Sequence, residues 1–246
     1  MKRFFVQNGY KLYYPYFFMT RFSLLLLGLF SLPFYAQTGS TTQELSKYLE
    51  DQLYIGMTYN FMLNKPDGVT QRNLSYGLQA GVIKDIPLNR NRNVALGIGL
   101  GYGVNSYYSN LRAVETTNGF QYNTIGSNVS VKRNKIETHL IEMPIEFRWR
   151  NSTPESYKFW RVYTGIKLGY IVGSRSKFVS DDEKSSFYNT DTENFQYGLV
   201  FNIGYNTFNI HAYYALNNLF EAGTTTVDGA EIGITPLRIG IIFYIL

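Results

Sequence analysis

Apolar and polar residues alternate with a period of two along much of the chain, most regularly between residues 134 and 173. From 141 to 149 every second residue is apolar, and the residues between them are mostly charged. The alternation resumes from 160 to 172, after a polar stretch at 151–157. A period of two is typical of β-strands, because successive side chains point to opposite faces of a sheet. This segment is therefore predicted to form a hairpin of two long strands.

These two strands are too long for an ordinary soluble sheet, whose strands are usually about 5–6 residues long. An apolar face of about 10 residues that ends in aromatic side chains is what a tilted strand needs to cross a bilayer. The hairpin is therefore predicted to form two neighbouring strands of an outer-membrane β-barrel.

The same alternation predicts six more strands. The eight predicted segments are 52–63, 73–86, 93–107, 134–150, 158–173, 193–205, 207–216 and 235–246. An even count is the rule for bacterial single-chain barrels. In seven of the eight segments the glycines lie almost wholly on the polar face, as expected if large polar side chains share a narrow lumen with them. A soluble lipocalin-like barrel would have its apolar face inside, so we predict an all-β, eight-stranded antiparallel transmembrane barrel.

The connections between the predicted strands alternate in length. Long connections fall at 64–72, 108–133, 174–192 and 217–234, and short ones fall at 87–92, 151–157 and near Asn206. Outer-membrane barrels have short periplasmic turns and long extracellular loops. Both termini are therefore expected in the periplasm. The long connections are polar and rich in Asn, Ser and Thr, a composition typical of mobile surface loops.

The N-terminal 36 residues have the order of a secretory signal. Arg21 precedes a short apolar run, and the run ends at Ala36 before Gln37, where cleavage is expected. The run is too short for a spanning helix. The stretch before it is unusually long, and Met19 is an alternative start that would give a compact signal. Residues 37–51 are expected to be a short periplasmic lead-in, and 52–246 the barrel domain.

The high isoelectric point, about 9.1, comes mostly from this leader. Four of the 23 basic residues precede Gln37, leaving 19 basic against 18 acidic side chains in the rest of the chain. A nucleic-acid partner is therefore not indicated. The chain contains no Cys, which excludes disulfides and thiolate metal sites.

Charged residues fall on the predicted lumen face of the fourth, fifth and eighth strands. They are Glu142, Glu146, Arg148, Arg161, Lys167 and Arg238. Charges in a narrow lumen need partners, because an unpaired buried ion costs several kcal/mol. Pairing through the 151–157 turn predicts Glu146 near Arg161 and Glu142 within diagonal reach of Lys167. This network is interpreted as a structural filling of the lumen, with an ion path or an anchor for an inserted partner as the alternatives.

The chemistry of an enzyme is not apparent in the sequence. Only two histidines occur, and neither His211 nor His139 has a Ser and an acid in an order that indicates a catalytic triad. No metal motif is present. The glycine run from Gly97 to Gly103 lies within a strand, with no helix after it, so it is lumen packing and not a dinucleotide loop. No catalytic residue, cofactor or metal is therefore predicted.

The segment MPIEFRWR, with Pro144 inside a strand, and the following STPESYKFWRVYTGIKLGY resemble the PorT family of outer-membrane β-barrels from Bacteroidetes. The family hairpin has a Glu-hydrophobic-Pro-hydrophobic core after Leu or Ile, here at 141–145. It is followed by a Gly-containing stretch that ends in Tyr, here at 162–170. The resemblance is close over about 140–175 and loose over the rest of the barrel. Pro144 is also expected to favour a β-bulge, since it removes a ladder donor.

The resemblance implies a non-enzymatic outer-membrane component needed for type IX protein secretion and, in gliding species, for motility. Its expected partners are outer-membrane lipid and other outer-membrane or periplasmic proteins of the secretion system. An eight-stranded barrel has no room for a folded protein, so it is not expected to be the conduit. Two alternatives stay open: a structural or adhesive barrel unrelated to secretion, and a lipid-modifying outer-membrane enzyme.

Overall fold

The structure, a computed structural model, describes residues 51–117, 119–126, 129–151, 159–206 and 208–245. The predicted signal at 1–36, the lead-in up to residue 50 and most of the 151–157 turn lie outside the described residues. No helix within the described ranges is long and apolar enough to cross a membrane.

The described residues form eleven β-strands. They are β1 (Asp51–Leu63), β2 (Tyr76–Pro87), β3 (Val94–Tyr108), β4 (Leu111–Thr116), β5 (Gly119–Thr124), β6 (Val131–Arg150), β7 (Trp160–Ser180), β8 (Lys184–Tyr188), β9 (Phe195–Tyr205), β10 (Phe208–Ala215) and β11 (Thr235–Ile245). Nine of them belong to one sheet, in which β8 pairs with β7. The other eight close into a barrel in the order β6, β3, β2, β1, β11, β10, β9 and β7, and β7 pairs back with β6. Every pairing is antiparallel. The predicted eight-stranded antiparallel barrel is confirmed.

The outer wall is apolar, as the alternation predicts. Leu53, Val82 and Ile210 expose 54%, 53% and 59% of their surface, far more than an isolated soluble protein leaves over a continuous band. Aromatic side chains border the band at both ends. At the end with the short turns they are Trp149, Trp160, Tyr205, Phe208 and Phe243, and at the end with the long loops they include Tyr102, Tyr170, Phe195, Tyr197 and Tyr214.

The inward-facing glycines make room for large lumen side chains. A Cβ added at Gly103 would lie 3.0 Å from the carboxyl carbon of Glu142, and one at Gly97 would lie 3.4 Å from Cγ of Arg148. Glycine on the lumen face therefore lets charged and aromatic side chains lie flat against the wall, as the pattern predicted.

The structure contradicts a bulge at Pro144. The pairing of β6 with β7 continues through Pro144 opposite Lys167 without a shift. On the β3 side the ladder passes from the pair Ile98–Ile145 to the pair Gly101–Glu142. The missing amide proton of Pro144 therefore interrupts the pairing there without shifting the register. The register shifts of β6 against β7 lie elsewhere, between Val131 and Arg133 and between His139 and Leu140.

The long connections are folded, which the composition did not predict. They contain β4, β5 and β8, and β6 and β7 extend to 20 and 21 residues. An apolar cluster, here called the cap, lies at this end of the barrel and consists of Met62, Val69, Tyr107, Leu111, Ala113, Tyr122, Ile136, Leu219, Phe220, Ile232 and Ile234. These residues come from distant segments without a common period, so only the closed fold brings them together.

A buried tyrosine joins two of the long connections within the cap. The phenol of Tyr122, on β5, donates at 3.0 Å to Asn189 Oδ1 and at 3.1 Å to Asp191 Oδ2. Its ring packs edge-on against Phe220, with the centroids 5.3 Å apart. Burial raises the pKa of the Tyr122 phenol above its ordinary value, so the hydroxyl stays protonated and available as a donor.

Tyr122→Phe is therefore expected to lower the local stability of the cap by about 1 kcal/mol, because the buried oxygens lose a shared donor. Hydrogen exchange by mass spectrometry should show faster exchange in β4, β5 and 189–192, with unchanged exchange in β1 and β11. Equal loss of protection in barrel and cap would contradict a cap that opens separately from the barrel.

Candidate functional site

A carboxylate and two cations meet at mid-height in the lumen. Glu142 accepts from Lys167 Nζ at 3.2 Å and from Arg238 Nη1 at 3.1 Å. Lys167 also donates to Gln79 at 2.5 Å, and Arg238 to Asn105 at 3.2 Å. We call Glu142, Lys167 and Arg238 the central charge cluster. All three are at most 4% exposed, so each charge depends on the others.

A second group of charges lies nearer the short turns. Asp85 forms ion pairs with Arg148 and with Arg150, the latter at 2.8 Å. Arg148 also lies 3.5 Å from Glu146 through its Nε and donates to Gln52 at 3.1 Å. Two tyrosine rings stack on this guanidinium, Tyr163 at 3.9 Å and Tyr244 at 4.8 Å from the ring centroids. We call Asp85, Glu146, Arg148 and Arg150 the lower charge cluster.

All six residues predicted for the lumen network are buried inside the barrel, but one predicted pair does not form. Glu146 lies opposite Gly165, and Arg161 lies opposite Arg150. Arg161 instead donates to the backbone carbonyl of Asn206 at 2.7 Å. The predicted register is wrong by four residues. β7 begins at Trp160 and not at the predicted residue 158, so the connection is longer on its C-terminal side than the predicted turn.

Sequence reasoning missed several members of these clusters. Asp85 and Arg150 are buried in the lower cluster, and Gln79 and Asn105 complete the central one. Asp85 is an even number of residues from Gln79, and Arg150 is an even number from Arg148, so each pair lies on the same face of its strand. This parity alone was a sufficient signal that Asp85 and Arg150 face the lumen. That Asp85 lies beside two arginines from β6 depends on the closed barrel.

The lumen is filled. The two spaces among the charged side chains leave at most about 10 Å³ for a water-sized molecule, no more than about one water needs. Arg238 lies flat over the ring of Tyr213, 3.7 Å from the centroid. This part of the barrel holds side chains and has no passage for a polypeptide.

The two histidines have amide, phenol or carboxylate neighbours, and Nε2 of His139 lies 3.7 Å from Glu137 Oε1. His211 Nδ1 lies 2.6 Å from Asn202 Oδ1, and the Asn202 amide donates to Glu146 at 3.3 Å. His139 Nδ1 lies 2.7 Å from the hydroxyl of Tyr102 on the outer wall. In the described ranges no group of three or more His, Asp or Glu residues is arranged to hold a metal ion. Neither histidine contacts a serine in these hydrogen bonds.

A family model described as outer membrane protein beta-barrel domain matches residues 35–221. The chain belongs to this family. It is an outer-membrane protein, and the apolar outer wall with its aromatic borders is the surface that contacts lipid.

Among solved structures, this family member is similar to Ail, the attachment invasion locus protein of Yersinia pestis. The identity is 16%, the alignment covers 79% of this chain and 98% of that chain, and the TM-score is 0.31. No curated protein matches the chain.

Proposed function

We propose that this outer-membrane barrel is a non-enzymatic component needed for type IX protein secretion, and for gliding motility where that occurs. The proposal rests on the resemblance of residues 140–175 to the PorT family. In it, residues 1–36 are a signal that is removed, the lead-in and both termini lie in the periplasm, and the long loops lie outside.

The filled lumen limits how the protein can contribute to secretion in this proposal. The central charge cluster and its aromatic neighbours close the barrel at mid-height. A barrel closed in this way cannot be the route of a secreted protein, so its contribution to secretion comes from contacts that its outer surfaces make with other proteins. The structured cap and the short turns are the two candidate surfaces.

A structural or adhesive role is the second candidate. The folded cap favours it, because an apolar core under the loops holds their polar surface in one conformation, which lowers the entropic cost of binding. No observation favours a lipid-modifying enzyme over these two, since both histidines are engaged by Asn202 and Tyr102.

The test is a clean deletion of the gene, followed by quantitative proteomics of culture supernatant, cell surface and periplasm. We expect proteins with type IX C-terminal sorting domains to accumulate in the periplasm and to decrease outside. Complementation with a gene that starts at Met19 is expected to restore export. Unchanged export in the deletion strain would reject the secretion role and favour the structural or adhesive barrel.

A second set of complementing genes separates the surfaces. Replacing residues 184–188 with a Gly/Ser linker removes β8 from the long-loop end of the barrel, whereas replacing 89–91 with the same type of linker alters a short turn at the other end. Loss of export with only one of the two identifies the surface that partners contact. An enzyme would instead fail on His211→Gln or His139→Gln with both surfaces intact.

A further inference from the structure

One sector of the barrel continues beyond the lipid-facing band with an outward face rich in cations. Above His139 the outward positions of β6 are Glu137, Lys135 and Arg133, which are half-buried or exposed. At about 3.3 Å per residue and a strand tilt of about 40°, they lie roughly 5, 10 and 15 Å above the aromatic border. The headgroup layer is roughly 5–8 Å thick on each side of the hydrocarbon core, so Glu137 lies within it and the two cations lie at or above its outer edge.

The neighbouring strands place more cations on the same face. Lys177 on β7 lies directly opposite Lys135, and Arg175 lies opposite Glu137. Lys184 on β8 lies opposite Val179, the cross-strand partner of Arg133. We call this surface the basic patch, and its cations are Arg133, Lys135, Arg175, Lys177 and Lys184. Glu137 is the one carboxylate among the described residues of these rows.

Within the protein the patch is incompletely neutralised. Glu137 is engaged by Lys135, which also donates to Ser106 at 3.1 Å. Like charges directly opposite each other destabilise a sheet, and Lys135 and Lys177 are such a pair. An anion from outside would remove this repulsion and would gain charge-assisted hydrogen bonds.

Aromatic rings and hydroxyls border the cations. Lys135 Nζ lies 5.7 Å from the ring centroid of Tyr108 and 6.0 Å from that of Tyr76. The Arg175 guanidinium lies 5.7 Å from the ring of Tyr188, which is 72% exposed. Flat rings with hydrogen-bonding edges are suited to a ligand with both an apolar face and polar groups.

The rest of the wall offers no comparable surface. The described parts of β1, β9 and β10 contain no Lys or Arg, and the single Arg of β11, Arg238, points into the lumen. The cations of the outer wall at this end are thus concentrated on β6, β7 and β8. Such a one-sided distribution is expected for a specific contact and is not needed for general attraction to a charged membrane.

We propose that the basic patch binds the phosphorylated headgroup of an outer-leaflet glycolipid. Its height, from within the headgroup layer to several ångströms above it, suits a headgroup larger than that of a phospholipid. Its cations match phosphate, and its rings match the sugar units that carry the phosphate. The lipid chains would lie along the apolar wall below His139 and Tyr102. This proposal rests on the proposed function for one point, that the long loops lie outside the cell. Its test does not depend on secretion.

The test measures glycolipid binding to the purified full-length protein in detergent micelles by native mass spectrometry. The probes are phosphorylated lipid A and lipid A from which phosphate has been removed. We expect the wild-type protein to retain only the phosphorylated form. Arg133→Gln combined with Lys177→Gln leaves the Lys135–Glu137 pair intact and should weaken retention at least about tenfold, since one charge-assisted contact corresponds to about that factor.

Lys65→Gln is the matched control, because Lys65 lies at the same end of the barrel but outside the patch and donates to the Met62 carbonyl. It should bind phosphorylated lipid A like the wild type. A difference in gel migration between unheated and boiled protein shows that each variant is folded. Equal retention of both lipid A forms, or unchanged retention by the double variant, would overturn the proposal.

Two further probes separate the sources of phosphate. Inorganic phosphate at the same concentration should not displace lipid A, and phosphatidylglycerol in phosphatidylcholine micelles should not replace it. Displacement by either would show a general anion surface and would overturn the assignment to a glycolipid. Secretion proteomics of the same double variant reports separately on the proposed function, so failure of one proposal is distinguishable from failure of the other.

Discussion

Glu142→Gln is expected to lower the free energy of unfolding by about 3–5 kcal/mol, the largest effect of any single substitution considered for this protein. The change keeps the shape of the side chain and removes its charge. Lys167 and Arg238 would then be buried within hydrogen-bond distance of a neutral group. Urea titration in detergent micelles measures the effect, with fluorescence of Trp149 and Trp160 as the reporter.

Glu137→Gln is the control, because it removes an equivalent charge from the same strand at a partly exposed position. The expected loss there is at most about 1 kcal/mol. If Glu142→Gln is as mild as Glu137→Gln, the central charge cluster does not stabilise the barrel. Its buried paired charges would then need a functional explanation, such as an ion path through the lumen.

Gly165→Ala is expected to cost at least about 3 kcal/mol, the upper end of the range for overpacked positions. A Cβ on Gly165 would meet the backbone carbonyl oxygen of Ile145 and would lie 2.8 Å from the Cα of Glu146. Those atoms belong to the paired strand β6, so they cannot move aside as a flexible side chain does. The same urea titration, with the yield of heat-modifiable protein after refolding, measures the loss.

Gly173→Ala, on the same strand, provides the matched comparison. A Cβ there meets nothing within 4 Å, so the substitution should be neutral or stabilising by about 0.4–1 kcal/mol, because alanine restricts the unfolded chain. Equal effects at Gly165 and Gly173 would show that strand propensity, and not close approach between β6 and β7, is responsible for the effect of these substitutions.

A lumen filled by paired charges and closely approaching strands is closed, so the proposed function depends on the surfaces. The cap, the short turns and the basic patch are those surfaces, and each has a variant that leaves the central charge cluster unchanged.

The alternation of apolar and polar residues by itself determined the architecture. A period of two, eight long segments and glycines on the polar face specify which side chains face lipid and which face the lumen, because parity along a strand is a local property. For the same reason all six predicted lumen charges, from Glu142 to Arg238, are found inside. Parity would also have located Asp85 and Arg150.

Only the tertiary structure decided which lumen charges meet and how the loops fold. The register of β7 depends on the length of the preceding connection, and an error of four residues moved Arg161 away from Glu146. The cap brings Met62 of β1, Tyr122 of β5 and Phe220 of the last long connection together from far apart in the chain. Such contacts leave no local period in the sequence, since they depend on closure of the barrel and on how neighbouring loops pack over its mouth.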